Sequence, residues 1–239
     1  MLQLLLQTRL RDNGPVYAET DLSRVIVEPF NGLSAALFLL IVAYWALRLR
    51  GAWRRHLFMA AALPVLAIGG IGGTIYHTFR IHEFFLAMDW MPIMILTLAA
   101  SVYFLIRAIG NWIPAVGIVL GFFFLQGFVY SQFDADPPLI PRYLIINLGY
   151  AMMGTLVLLS VGWLLVRTRF AHARWIYLAV LSFALALFFR TADSWGWLPM
   201  GTHFLWHLFG AAASHCVLGY LYYLNEPAPK PEPAALSQA

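Results

Sequence analysis

LFMAAALPVLAIGGIGGTIYHTF, residues 57–79, runs for 23 residues without an Asp, Glu, Lys or Arg. A hydrocarbon core ~30 Å thick takes about 20 apolar residues per helical crossing, so this stretch predicts a transmembrane helix. Similar runs flank it at about 29–48, 84–106, 111–130, 141–166, 174–190 and 201–224, with short polar breaks between them. The chain has 239 residues, of which 62% are hydrophobic and 11% charged. That composition leaves almost nothing for a water-soluble domain. The expected fold is all-α, an integral membrane bundle of seven transmembrane helices over 28–225. An extracytoplasmic segment, 1–27, precedes it, and a proline-rich disordered tail, 226–239, follows. The sixth run is the weakest because Arg190 cuts it short, unless that side chain snorkels to the interface. The opening MLQLLLQTRLRDNG has too short an apolar run, and no basic region before it, to read as a signal peptide.

The net charge of +4 does not point to nucleic acid, because the basic residues lie in the breaks and form no continuous patch. Arg48, Arg50, Arg54 and Arg55, then Arg107, then Arg167, Arg169 and Arg174 all mark one side of the bundle. The positive-inside rule makes that side cytoplasmic, with the N-terminus outside and the C-terminus inside. Asp12, Glu19, Asp21, Glu28, Glu83, Asp89, Asp134, Asp136 and Asp193 fall toward the other side; only Glu226 and Glu232 are inside. Arginine outnumbers lysine 14 to 1, a bias of GC-rich bacterial genomes that points to the bacterial cell (inner) membrane. The single cysteine, Cys216, cannot form an intramolecular disulfide.

Within this topology His77 lies at the outer end of the second span, Asp89 near the outer start of the third, and His203 and His207 in the outer turns of the seventh. Residues four apart on a helix share a face, so His203 and His207 can aim at one point, with His77 at the same level on a facing helix. Three neutral imidazoles and one open position make the arrangement of catalytic zinc. Asp89 would take or orient the proton of the bound water, and a carboxylate at this depth is a functional candidate by default. A lone histidine near an interface is ordinarily a hydrogen-bonded side chain; four titratable groups at one depth are harder to explain that way. His215, two turns deeper, reads as core, and His56, His82 and His172 read as solvated residues of the breaks.

GGIGGTIYHTF (69–79), MDWMPIM (88–94), EPFN (28–31) and DSWGWLPMGTHFLWHLFGAAASH (193–215) together resemble, in order, the motifs of the alkaline ceramidases. These belong to a seven-transmembrane superfamily that also includes the progestin and adiponectin receptors. The resemblance implies zinc ligands at His77, His203 and His207 and an acid–base role for Asp89. The family's serine near the zinc is Gly73 here; Thr74, next to it, is rotated by about 100° and cannot stand in. A serine restored at position 73 would be expected to raise turnover. Asp193 matches an acidic residue before the last span, with a capping or loop-ordering role as open as a catalytic one. The eukaryotic members also bind calcium, for which Glu19, Asp21, Glu28 and Asn31 offer oxygen ligands. The expected activity is zinc-dependent hydrolysis of a ceramide-like membrane lipid to sphingoid base and fatty acid. Its rivals are a receptor or lipid sensor with structural zinc, and a haem-binding electron carrier, although two histidines on one face suit a small ion better than a macrocycle.

Overall fold

The structure, a computed structural model, describes residues 12, 14–131 and 142–227. Residues 1–11, residue 13, residues 132–141 with Asp134 and Asp136, and the tail from 228 with Glu232 lie outside the described residues. The helices are α1 (Pro29–Ala35), α2 (Leu37–Arg48), α3 (Leu57–Phe79), α4 (Glu83–Ile109), α5 (Trp112–Ser131), α6 (Arg142–Arg167), α7 (Ala173–Ala192) and α8 (His203–Asn225). No strand occurs among the described residues. Together α1 and α2 form one crossing, interrupted at Ala36, so seven helical segments are long and apolar enough to span a bilayer. The chain is a multi-pass integral membrane protein.

Two different interiors share the bundle. Toward the arginine-rich end the core is apolar and close-packed, with Trp45, Leu49, Met59, Leu63, Phe104, Tyr220 and Leu221 almost fully buried. Toward the other end the buried side chains are polar: Asp12, Glu19, Glu28, Asn31, His77, Arg80, Asp193, His203 and His207. Unpaired polar groups are costly where water is absent, so this second interior stands only if its members satisfy one another.

The glycines of GGIGG set the distance between α3 and its neighbours. A β-carbon at Gly72 would collide with the Cβ and backbone of Met88 on α4, and one at Gly70 would come within 2.9 Å of Leu39 on α2. Gly69 faces Pro92, which lies inside α4. Small residues at such an interface let two membrane helices approach to backbone contact. The other face of the bundle is looser: α5 buries only Ala115, Val119 and Gln126, and its Phe124 and Phe128 are exposed for lipid.

Arg190 does not snorkel outward as its position in the sixth run suggested. It sits in the last turn of α7 and turns inward, with Nε donating to Asn147 Oδ1 at 2.9 Å. The helix therefore continues past it to Ala192, with a 3-10 turn at Asp193–Trp195.

The glycine contacts set a contrast that thermal unfolding in detergent can read. Gly117 and Gly121 on α5 have open space around the added β-carbon, so Gly→Ala there gains helix propensity, ~0.8–1 kcal/mol. At Gly72 the same substitution strikes a backbone, and the expected result is a lower melting temperature. Equal shifts at Gly72 and Gly117 would remove the close α3–α4 approach from the account.

Candidate metal centre

His77 lies two residues before the C-terminal end of α3, and His203 and His207 occupy the first two turns of α8. All three are buried, and one nitrogen from each falls within 4.8 Å of the others. Two ligands ~2.0–2.1 Å from a tetrahedral zinc stand about 3.3–3.4 Å apart, so closing on an ion brings the widest pair together by at most about 1.5 Å. The donor chemistry agrees. His77 Nε2 and His203 Nδ1 are buried with no hydrogen-bond partner among the described residues, a costly state for an imidazole nitrogen that an ion would relieve.

The outer partners fix two of the tautomers. The Glu28 carboxylate lies 2.6 Å from His77 Nδ1, and as an acceptor it holds the proton there, leaving Nε2 with a lone pair. His207 Nδ1 lies 3.1 Å from the Asn31 carbonyl and 2.9 Å from Ser34 Oγ. It must donate to that carbonyl, so Nε2 of His207 is likewise left as the basic nitrogen. Both partners of His207 are on α1, just before the break at Ala36. On the remaining side, Tyr17 stacks on the His203 ring with centroids 3.8 Å apart.

Glu28 is the most heavily used acid of the site. Besides His77 it accepts from Arg80 Nη1 at 2.6 Å, Thr20 Oγ1 at 2.6 Å and Asn31 Nδ2 at 3.1 Å. Burial alone would push its carboxyl up, but His77, Arg80 and Thr20 outweigh that and hold it down to about 2. It is therefore ionised at neutral pH. Arg80 also binds Asp12 through Nε at 2.6 Å and Nη2 at 3.0 Å, and donates to the Pro15 carbonyl. Burial works against the guanidinium charge, yet Asp12 and Glu28 raise its affinity for the proton.

The acids expected as calcium ligands have partners within the chain. Both oxygens of Glu28 are taken, and Glu19 caps α1 by accepting from Phe30 and Asn31 N–H at 2.6 and 2.9 Å. Asp21 closes an exposed turn with Ser23 and Arg24. Among the described residues the acids form no metal-ligand group; the three histidines do. A guanidinium of the chain, Arg80, supplies the cation that joins the N-terminal acids to the bundle.

Asp89 stands beside the histidines, its Oδ2 3.9 Å from His77 Nε2, with 23% of its side chain accessible. Gly73 is what admits it: a β-carbon there would collide with Asp89 Oδ1. A serine at position 73 would require that carboxylate to shift. Thr74 turns away and bonds the Gly70 carbonyl at 2.6 Å. Asp193 resolves as a cap: Oδ1 accepts from Thr202 and His203 N–H at 2.8 and 2.9 Å, and Oδ2 from Ala18 N–H at 3.0 Å. It anchors the start of α8, where anionic groups are favoured, and the N-terminal segment together.

The remaining histidines divide. His82 and His172 are exposed, as expected, and His215 packs among Tyr44, Trp45 and Trp175. His56 departs from expectation: it is fully buried, stacked on Tyr222 and 3.1 Å from Glu226.

From Asp89 and His207 a cavity of about 260 Å³ runs into the bundle, ending at Phe104 and Leu221. Its walls are apolar, with Leu96, Ala100, Val157, Phe183 and Leu218 among them. Asp89 and Phe104 are fifteen residues apart on α4, or ~22 Å; one leaflet of hydrocarbon is ~15 Å. The space is long enough for a single lipid chain. No family model matches the chain, and no curated protein is significantly similar to it.

The Glu28 contacts generate a prediction. Glu28→Gln keeps the volume but removes the negative charge and leaves one acceptor oxygen where His77 and Arg80 now use two. Zinc affinity of the purified protein, measured by chelator competition, is expected to fall roughly 10- to 100-fold. Unchanged affinity would detach Glu28 from the metal centre.

Proposed function

We propose that the chain is a zinc-dependent intramembrane amide hydrolase acting on ceramide-like N-acyl sphingolipids, releasing a sphingoid base and a fatty acid. The observation that carries this reading is the convergence of three buried imidazoles with a carboxylate at the mouth of a chain-length apolar cavity. The resemblance to the alkaline ceramidases supports it on the same residues.

His77, His203 and His207 would hold the ion. Bound zinc supplies a Lewis acid for the amide carbonyl and lowers the pKa of water toward 7. The acyl chain lies along α4 in the cavity, which brings its carbonyl end to Asp89 and His207. Asp89 accepts a proton on its carboxylate from the water that attacks the carbonyl carbon, and returns it to nitrogen as the C–N bond breaks. Glu28 keeps His77 in one tautomer throughout. The helix walls limit bulk water at the reacting carbon.

One observation favours a second reading, a receptor or lipid sensor with structural zinc: position 73 offers no hydroxyl to the site. Purified protein given a ceramide-like amide decides between the two. Fatty acid release is expected, and Asp89→Asn should retain zinc while lowering turnover by about 100-fold or more. A zinc-loaded wild type that releases nothing would remove the hydrolase reading and leave the sensor.

The proposed orientation puts the arginine-rich end in the cytoplasm of a bacterial cell and the histidines toward the outer side of its inner membrane. A tag at residue 1 should then be reachable from outside the cell, and one at residue 239 only after permeabilisation. The reverse pattern would move the site to the cytoplasmic leaflet.

A further inference from the structure

The three histidines are not held alike. His77 and His207 each set Nδ1 against an acceptor, the Glu28 carboxylate and the Asn31 carbonyl. His203 has no such partner: its Nδ1 is buried without a hydrogen bond. Rotation of an imidazole about its Cβ–Cγ bond is soft, so a ring that lacks such a bond keeps one plane only where packing fixes it. The contact that does so comes from outside the helices. Tyr17 lies over the His203 ring with centroids 3.8 Å apart and planes 27° apart, and its ring centroid is 5.3 Å from that of His77.

Tyr17 is itself pinned on both sides. Its N–H donates to Thr20 Oγ1 at 3.0 Å, and Thr20 in turn donates to Glu28 Oε1 at 2.6 Å. The next residue, Ala18, donates its N–H to Asp193 Oδ2 at 3.0 Å, while Oδ1 of the same carboxylate accepts from His203 N–H at 2.9 Å. One carboxylate therefore fixes the backbone behind both stacked rings and sets their register. Gly201 makes room for this joint, since an added β-carbon would collide with Asp193 Oδ1 and come within 2.6 Å of the Ala18 β-carbon. Burial raises the affinity of the Tyr17 phenol for its proton, so the face turned to His203 is neutral and electron-rich.

We infer that Tyr17 is the positioning residue of His203: by stacking, the N-terminal segment gives this imidazole the orientation that hydrogen bonds give to His77 and His207. The arrangement favours the metal-bound state in particular. An imidazole that shares its lone pair with a dication becomes electron-poor, and an aromatic face attracts such a ring more strongly than a neutral one. The stack thus serves as the outer support that a ligating histidine ordinarily obtains from a carboxylate or carbonyl. The inference rests on the three histidines sharing an ion and is independent of the reaction that ion serves.

The test uses the full-length protein in detergent, with zinc affinity read by chelator competition and ligand geometry by the visible absorption of cobalt(II) bound in place of zinc. Tyr17→Leu removes the ring and is expected to weaken zinc binding roughly 10-fold or more, the scale of a lost outer support, and to change the cobalt spectrum as His203 turns. Tyr17→Phe keeps the stack and is expected to match wild type in both readouts. Tyr17→Gln takes the place of the leucine variant if that one does not fold. A leucine variant with wild-type affinity overturns the inference. So does weaker affinity with an unchanged cobalt spectrum, because the segment would then only shield the ion, and so does a phenylalanine variant as weak as the leucine one, because the hydroxyl would then be the group that matters. A folded wild type that takes up neither metal removes the metal centre itself, and the inference with it.

Discussion

Glu28 is a carboxylate with no exposed surface, and the polar half of the bundle is organised around it. An isolated buried carboxylate is strongly disfavoured, so its stability depends on the groups that converge on it. Arg80 and Thr20 meet one oxygen, and His77 and Asn31 the other. These partners come from the N-terminal segment, from α1 and from the C-terminal end of α3. One side chain therefore orients a metal-ligand candidate, neutralises a buried arginine and fastens the segment that covers the histidines. Asp193 repeats the device on a smaller scale, holding Ala18 and the first residues of α8 on its two oxygens. Between them these acids turn a loop and three helix ends into one polar body inside an otherwise apolar protein.

Backbone proximity is the second constraint. Gly72 and Gly73 allow α4 to lie against α3 so closely that Met88 and Asp89 occupy the space of missing β-carbons. Asp89 reaches His77 because of that approach. The glycine at position 73 is thus a requirement of the carboxylate's position, and its difference from the serine of the resembling family is a change of packing as well as of chemistry. The apolar half, with Trp45, Met59, Leu63, Phe104 and Tyr220, holds the helices at the other end, and the cavity runs between the two regimes.

Hydrophobic run length was enough to read seven crossings, because each apolar helix must span the same hydrocarbon thickness. The grouping of His77, His203 and His207 was legible from helical periodicity and shared depth. Less was legible where the interaction joins residues far apart in sequence. Glu28 looked like a calcium donor because an acid's sequence position does not reveal that Arg80, 52 residues later, will occupy its oxygen. Arg190 read as the end of a span, since sequence alone does not say whether an interfacial arginine turns toward lipid headgroups or toward Asn147. His56 lies in an arginine-rich break, and only the return of α8 buries it against Tyr222. The signal that could have exposed Arg190 was its occurrence beside an apolar run with no acidic residue within a helical turn before it.

The account depends on the three histidines sharing one ion. Zinc K-edge X-ray absorption on the intact purified protein, with metal content measured on the same sample, tests this most directly. About one zinc per chain is expected, with imidazole nitrogens at about 2.0–2.1 Å in four-coordinate geometry. A folded protein that takes up no zinc, or one whose zinc shows no imidazole ligation, would contradict the metal centre.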